Sequence, residues 1–421
     1  MRQPKILSTL PNYNWTLFLA DLLAGLTVAL VALPLSMAIA IASGADPASG
    51  LVTAIVAGFI ISLLGGSRVQ IGGPTGAFIV VVFGVIASHG YDGLVLATFM
   101  AGLILLVAGY FRAGRLIAFV PEAVVNGFTI GIAIIIATSQ VKDFLGLAIA
   151  NVPADFLGKL PALWQSRDTL SLSALAIAIT TLFLIVFLRR IAPRFPGLVF
   201  AIAIGSAMVT LLALPVDTLG SRFGALPSHL PWPKLPDFSP ARLVELFPSA
   251  IIIAFLAGVE SLLSAMVADR MIEDQHRPNA ELTAQGVANI VSALFAGLPA
   301  TGAIARTATN IRAGGKTPVA GIVHAIAILL IMMIAAPLAG YLAMPALAAL
   351  LMITAWNMSE PHKWAEYAKA DRADRLLLVL TLALTVLVDL TVAIGVGVSV
   401  GLALRLARRN TVESDWTPPD R

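Results

Sequence analysis

The sequence predicts an all-α membrane protein with 14 transmembrane segments, arranged as two inverted sets of seven. The third and tenth segments are predicted to be half-helices. Three observations lead there. Of the 421 residues, 58% are hydrophobic and 12% are charged, against about 45–50% and about 25% in soluble domains. Apolar runs able to cross hydrocarbon recur along the whole chain. Two short Pro/Gly motifs also recur, one in each half. Charge this sparse cannot cover a soluble surface, which excludes an ordinary soluble enzyme, a nucleic-acid binder and a disordered chain.

The chain opens with a short polar stretch, 1–14. The apolar run that follows simply continues, so it reads as a retained first helix and not as a cleavable signal. Helices are predicted near 16–42, 49–64, 75–88, 92–110, 121–140, 171–189, 197–213, 245–268, 279–296, 301–313, 318–336, 341–356, 374–388 and 391–407. Of these, 75–88 and 301–313 are too short to cross alone. The longest connections are 141–170 and 214–244. The second is proline-rich and is predicted to be an irregular lid.

Counting positive charges orients the segments. With a cytoplasmic N-terminus, 20 of the 27 Lys and Arg residues fall on the inside and 6 on the outside, with Arg306 in a short helix. The inside set includes Arg2, Arg115, Arg194, Arg408, Arg409 and Arg421. One helix more or fewer would scramble that bias. Trp164 and Trp232 suit the outer interface, and Trp15, Trp356 and Trp364 the inner one. With no cysteine and five scattered histidines, disulfides and thiolate metal sites are excluded, and no pair of histidines has metal-ligand spacing. No metal and no cofactor are expected.

The internal repeat rests on Pro74-Thr75-Gly76-Ala77 and Pro299-Ala300-Thr301-Gly302-Ala303-Ile304. Thr75 and Thr301 lie 226 residues apart, and Pro121 and Pro345 lie 224 apart. That offset spans an odd number of helices, so the halves must be inverted. Short, Gly/Pro-interrupted segments at matching positions point to the midplane site of a secondary transporter. Each half-helix would begin inside the membrane with free N–H groups and a positive dipole end, a ready anion site. Gly72-Gly73-Pro74 and Gly297-Leu298-Pro299 would supply the extended lead-ins. The same glycines would also suit close helix packing. Candidate substrate contacts are Thr75, Gly76, Ala77, Thr301, Gly302, Ala303, Ile304 and Arg306.

Glu260 falls well inside the eighth helix, where a carboxylate costs roughly 2.5–3.5 kcal/mol on insertion scales. It is expected to face a cavity with a partner or a proton. Ser264, four residues on, shares its helix face, so the pair is a candidate coupling-ion or proton site. Arg306 would add a full charge to the anion site or pair with Glu260. Gln285 and Asn289 suggest interhelical hydrogen bonds, and His324 suggests a satisfied packing residue. Asp21, Glu122, Asp269 and Asp389 read as interfacial, and 269–278 as a charged loop.

These segments together resemble the SulP-type anion permeases, relatives of the animal sulfate/anion exchangers and prestin. The resemblance is carried by Leu33-Pro34-Leu-Ser-Met-Ala, Gly65-Gly-Ser-Arg-Val-Gln-Ile-Gly-Gly-Pro-Thr75-Gly-Ala, Gly258-Val-Glu260-Ser-Leu-Leu-Ser264-Ala-Met and Gly297-Leu-Pro-Ala-Thr-Gly-Ala-Ile-Ala-Arg306-Thr. It implies a uracil-permease-like inverted repeat. A core domain (15–110 and 245–336) would move against a gate domain (121–213 and 341–407) like an elevator. The function implied is secondary transport of a small anion of the sulfate, dicarboxylate or bicarbonate class. Glu260 and Ser264 match an eighth-helix pair that holds the coupling sodium in a bicarbonate-transporting branch, where the residues are Asp and Thr. The change favours protons over sodium. An uncoupled anion channel, a sodium-coupled bicarbonate importer and a nucleobase permease are the alternative readings.

The family usually continues into a cytoplasmic STAS domain. Here only a short tail, 408–421, follows the last helix, so none is expected. The implied setting is a bacterial inner membrane with both termini cytoplasmic. The implied partners are a small anion and lipid, with a homodimer open and nucleic acid excluded. No catalytic residues are expected.

Overall fold

The computed structural model describes residues 3–114, 121–149, 152–153, 156–192, 196–388 and 390–407. The predicted tail 408–421, Asp389 and the positive charges at 2, 115, 194, 408, 409 and 421 lie outside the described residues.

The chain is helical almost throughout, and each break in the apolar pattern carries its own stop and start signals. A short helix α1 (Ile6–Thr9) precedes α2 (Trp15–Ala42), whose first turn is capped by Asn14 accepting from Leu17 N at 2.9 Å. Helix α3 (Pro47–Leu64) has Asp46 as cap and proline at its first position. Strand β1 (Gly72–Gly73) then leads through a 3-10 turn, Gly76–Phe78, into α4 (Ile79–Tyr110). Next come α5 (Glu122–Leu145), α6 (Phe156–Gln165), α7 (Leu172–Ile191), α8 (Gly197–Leu211) and α9 (Leu219–Phe223). Helix α5 stops at Gly146, which takes the left-handed conformation at φ 63°.

The second half runs α10 (Pro240–Ile272), α11 (Pro278–Leu294), β2 (Thr301–Gly302), α12 (Ile304–Arg312), α13 (Val319–Ala339) and α14 (Met344–Met358). It closes with α15 (Trp364–Lys369), α16 (Arg372–Leu387) and α17 (Leu390–Ala407). All 14 predicted segments are present. The third and fourth form one helical run, broken where Gly90 takes φ 71° and ψ 179°, a conformation only glycine adopts freely. The predicted lid is less irregular than expected. It contains α9, and the eighth segment starts at Pro240, because proline at the first helical position opens a helix without losing a bond.

Two packing neighbourhoods emerge. Helices α2, α3, α4, α10, α11, α12 and α13 pack mainly on one another, as do α5, α7, α8, α14, α16 and α17. Large apolar side chains point outward along the helices, among them Phe183, Ile334 and Leu338. That is the pattern of a surface facing lipid. Asp21 departs from its interfacial expectation. It is buried and accepts from Lys316 N at 2.7 Å, Thr317 N at 3.1 Å and the Thr317 hydroxyl. It thereby holds the 313–318 loop against α2. Tyr13 donates to it at 3.3 Å, and burial together with the Asp21 charge pushes that phenol up to about 12.

The centre of the first neighbourhood is a crossing of two extended segments. β1 pairs antiparallel with β2, Gly72 opposite Gly302 and Gly73 opposite Thr301. Ala303 N donates to Ile71 O at 2.9 Å and extends the pair. Side chains satisfy the remaining backbone. The Asn289 amide on α11 both donates to Ala300 O and accepts from Ala300 N, each at 2.9 Å, acting as a third strand. Asn310 donates to Val69 O at 2.8 Å, and Ile71 N donates to Thr307 Oγ1 at 3.1 Å. Leu298 N donates to Thr53 Oγ1 at 2.6 Å. Unpaired backbone is intolerable at membrane depth, so these partners are requirements of the fold.

Asn289→Ala strips both partners from Ala300, at about 1–3 kcal/mol for each orphaned group. The thermal unfolding midpoint in detergent should fall clearly. Asn289→Asp sets an oxygen against the Gln285 and Ala300 carbonyls in a fully buried place, so its midpoint should fall at least as far as that of the alanine variant.

Candidate functional site

The two half-helices start on either side of this crossing. β1 feeds the Gly76–Phe78 turn and α4, and β2 feeds α12. Because the strands are antiparallel, the helices leave in opposite directions with both N-termini flanking the pair. Each N-terminus brings unpaired N–H groups and a positive dipole end. Thr75 and Ala303 are the extended residues immediately before the two helical starts.

Glu260 on α10 meets the first half-helix directly. Its Oε2 accepts from the Thr75 hydroxyl at 2.7 Å. Ser264, one turn on, is buried and points elsewhere: its hydroxyl lies 3.4 Å from Thr307 Oγ1 on α12. Thus α10 touches both half-helices through two different side chains. Glu260 and Ser264 share a face and not a partner.

Arg306 is buried. Its Nη2 donates to Pro74 O at 3.0 Å and to Ser36 Oγ on α2 at 3.1 Å. The positive end of the second half-helix therefore reaches across to the lead-in of the first. Among the described residues no ion pair joins Arg306 to Glu260, so that predicted alternative is not formed. Nε and Nη1 of Arg306 have no hydrogen-bond partner among the described residues. Gly73 makes room for this guanidinium. It sits at φ 150°, and an added Cβ would collide with Arg306 Nη1.

The other candidate residues divide between backbone and wall. Gly76 and Ala77 are buried in the turn opening the first half-helix. A Cβ on Gly76 would stand 2.9 Å from Met358 Sδ of α14 and 3.3 Å from Ile136 Cδ1 of α5. The second neighbourhood therefore closes on the half-helix at this glycine. Thr301 and Gly302 lie in β2, and the Thr301 hydroxyl donates to Ala257 O at 2.8 Å. Gly302 is crowded by the Gln70 amide, which occupies the place of a Cβ. Ala303 is buried, and Ile304 is largely exposed.

Sequence reasoning passed over a carboxylate that, like Asp21, accepts four hydrogen bonds. Glu281, fully buried in the first turn of α11, accepts from Gly66 N at 2.8 Å on Oε2. Its Oε1 accepts from Gln70 at 2.9 Å, Gln285 at 3.0 Å and Ser261 at 3.0 Å. The clue available was an acidic residue at the start of a predicted helix, a place where carboxylates are ordinary. Gln285 makes the predicted interhelical bond, to Ser261 of α10, whereas Asn289 bonds to Ala300 in the extended lead-in to β2 and not to another helix. His324 does not fit its reading as a satisfied packing residue. It is fully buried, and neither ring nitrogen has a partner among the described residues. Asp269 accepts from His276 Nδ1 at 2.6 Å and closes the 269–278 loop. Among the described residues no group of acidic and histidine side chains could hold a metal.

An inverted-repeat bundle whose two interrupted segments pair at mid-depth is the architecture of a secondary anion transporter. The chain belongs to the sulfate permease family, whose pattern matches residues 18–381. It is 44% identical to the putative sulfate transporter YvdB of Bacillus subtilis over 88% of this chain and 70% of that one. It is 31% identical to the bicarbonate transporter BicA of Picosynechococcus over 78% of this chain and 59% of that one. The chain thus spans 59% to 70% of these relatives' lengths. Its fold is similar to the transmembrane domain of a cyanobacterial bicarbonate transporter BicA, with TM-score 0.79, 29% identity and coverage of 93% and 98% of the two chains. The murine Solute Carrier 26 family member A9 anion transporter, in its inward-facing state, shares the fold at TM-score 0.86 and 18% identity, over 96% and 71%. The chain is accordingly a multi-pass membrane protein of a transporter family, not an enzyme.

Glu281 and Glu260 should respond differently to neutralisation. Glu281→Gln inserts donors among four existing donors and should lower the detergent unfolding midpoint by the equivalent of about 2 kcal/mol or more. Glu260→Gln faces one hydroxyl that can turn to accept, and its midpoint should stay near wild type.

Proposed function

We propose that this chain is a proton-coupled carrier of a small oxyanion, of the sulfate or bicarbonate class, working by elevator-type alternating access. The observation that carries this reading is the Thr75–Glu260 hydrogen bond at the start of the first half-helix. Thr75, Gly76 and Ala77 on one side, and Ile304 on the other, would offer backbone N–H groups to the anion, with Ala303, whose own N–H is held by Ile71 O, lining the approach. Arg306 would add positive potential through Pro74, with Thr301 and Gly302 setting the register.

An anion entering beside an ionised Glu260 meets like charge, which is costly in a low-dielectric site. A proton on Glu260 removes that repulsion. A protonated carboxyl also frees the Thr75 hydroxyl to donate to the anion. Proton and anion would therefore load together, which is the requirement for symport. Reversing either step empties the site.

The packing neighbourhoods supply the moving parts in this reading. Residues 15–110 and 245–336 would be the core that carries the site. Residues 121–213 and 341–407 would be the gate, with Met358 and Ile136 as its contact at Gly76. The termini would face the cytoplasm, as the positive charges indicate, in a bacterial inner membrane. Sodium coupling is the second reading. It would use the oxygens of Glu260 and Ser264, and would require Ser264 to turn from its contact with Thr307.

In proteoliposomes, labelled sulfate or bicarbonate should accumulate under an inward proton gradient and saturate with concentration. Glu260→Gln should abolish gradient-driven accumulation and retain anion exchange. Accumulation by Glu260→Gln equal to wild type would sink proton coupling, and a requirement for sodium would select the second reading.

A further inference from the structure

We propose that the face carrying the N-terminal segment holds a binding site for the phosphate of an anionic phospholipid headgroup, built around Lys5 and Arg68. A cleft of about 240 Å³ opens there, lined by Lys5, Ser8, Thr9, Asn12, Arg68 and Thr317. It lies away from the half-helix crossing, and neither the coupling nor the substrate reading uses it.

Its charge is unbalanced. Lys5 Nζ lies 3.1 Å from Asp274 Oδ2 and donates to Gln275 O at 2.7 Å. Arg68 reaches the same carboxylate only at 3.8 Å, and its Nε is buried without a hydrogen-bond partner among the described residues. Two cations therefore share one carboxylate. The other nearby acid, Asp21, is already occupied by Lys316 N, Thr317 and Tyr13. Arg277 adds a third positive charge behind the cleft, donating to Gln3 O, Pro4 O and Ser8 Oγ. The Arg68 side chain is 40% exposed at the cleft, and an exposed guanidinium suits phosphate oxygens.

The surroundings select lipid over a free ion. Beside the cleft, Leu7 is 58% exposed, Leu10 47% and Trp15 71%. Trp15 stacks on Phe18 at 5.1 Å. Helix α1 turns only Ile6 inward. Exposed leucine and tryptophan next to a basic cleft is the arrangement of a segment lying at the headgroup level, its apolar side among acyl chains. Basic pockets at this depth hold anionic headgroups.

The site is also wired to the crossing. Lys5 N donates to Gly65 O at 2.8 Å, and Arg277 N donates to Gly66 O at 3.0 Å. Gly66 N in turn donates to Glu281. This stretch leads straight into β1, so a headgroup that orders Lys5 and Arg68 steadies the approach to the first half-helix.

The test uses the purified full chain in detergent with phosphatidylglycerol or phosphatidylcholine added, and reads retained lipid by native mass spectrometry. Wild type should retain phosphatidylglycerol in preference to phosphatidylcholine. Lys5→Ala and Arg68→Gln should each weaken that retention about fivefold, as expected for one basic residue at an anionic surface. Arg68→Lys should recover part of it. Arg242→Gln, in the first turn of α10 and at the opposite end of that helix from Asp274, should change nothing. Unfolding midpoints of all variants are measured alongside, and Arg68→Gln serves if Lys5→Ala fails to fold. Equal retention by wild type and Arg68→Gln would overturn the proposal. So would displacement of phosphatidylglycerol by millimolar inorganic phosphate, which would make this a free-phosphate site. Retained lipid is read without transport, so the outcome is independent of the carrier reading.

Discussion

The structure depends on one short antiparallel pair, Gly72–Gly73 against Thr301–Gly302. Each half-helix must begin where no water can satisfy its preceding backbone. The paired lead-ins solve this by satisfying one another, and Asn289, Asn310, Thr307 and Thr53 supply what the pair leaves over. The candidate site is positioned from there. The strand direction sets the opposed helices, Gly73 admits the Arg306 guanidinium, and Thr75 falls where Glu260 can reach it.

Much of this was legible in the sequence, because the signals are strong physical ones. Long apolar runs, proline and glycine punctuation and the bias of positive charge yield the helices and their count. The duplicated Pro-Thr-Gly-Ala and Ala-Thr-Gly-Ala motifs locate the two half-helices. Glu260 stood out because a carboxylate is costly at that depth. What was not legible depends on which side chain meets which backbone group. That Gly72 and Gly302 pair, that Asn289 imitates a strand, and that Asp21 anchors a distant loop are long-range facts. Glu281 escaped because it stands in a helix's first turn, where acids usually serve only the dipole.

The polar groups inside the bundle divide into three kinds. Glu281 receives four hydrogen bonds and is a fixed post between α10, α11 and the loop into β1. Glu260 receives one. Four donors from separate elements fix the Glu281 carboxylate in place, whereas a single hydroxyl leaves the Glu260 carboxylate far less constrained. His324 and the free nitrogens of Arg306 form a third, unfinished set: buried donors and acceptors without partners among the described residues, where ordered water would find several partners at once.

The crossing also constrains how the two halves of this chain can drift apart. Elsewhere a helix in one repeat can lengthen, or a connection acquire a lid, without consulting its counterpart. At the paired glycines this freedom ends. One residue inserted before either half-helix would slip the register and shift both half-helices together, with Arg306 losing Pro74 in the same stroke. The two copies of an ancient duplication are thus spliced at a single joint, and that joint obliges them to change as one.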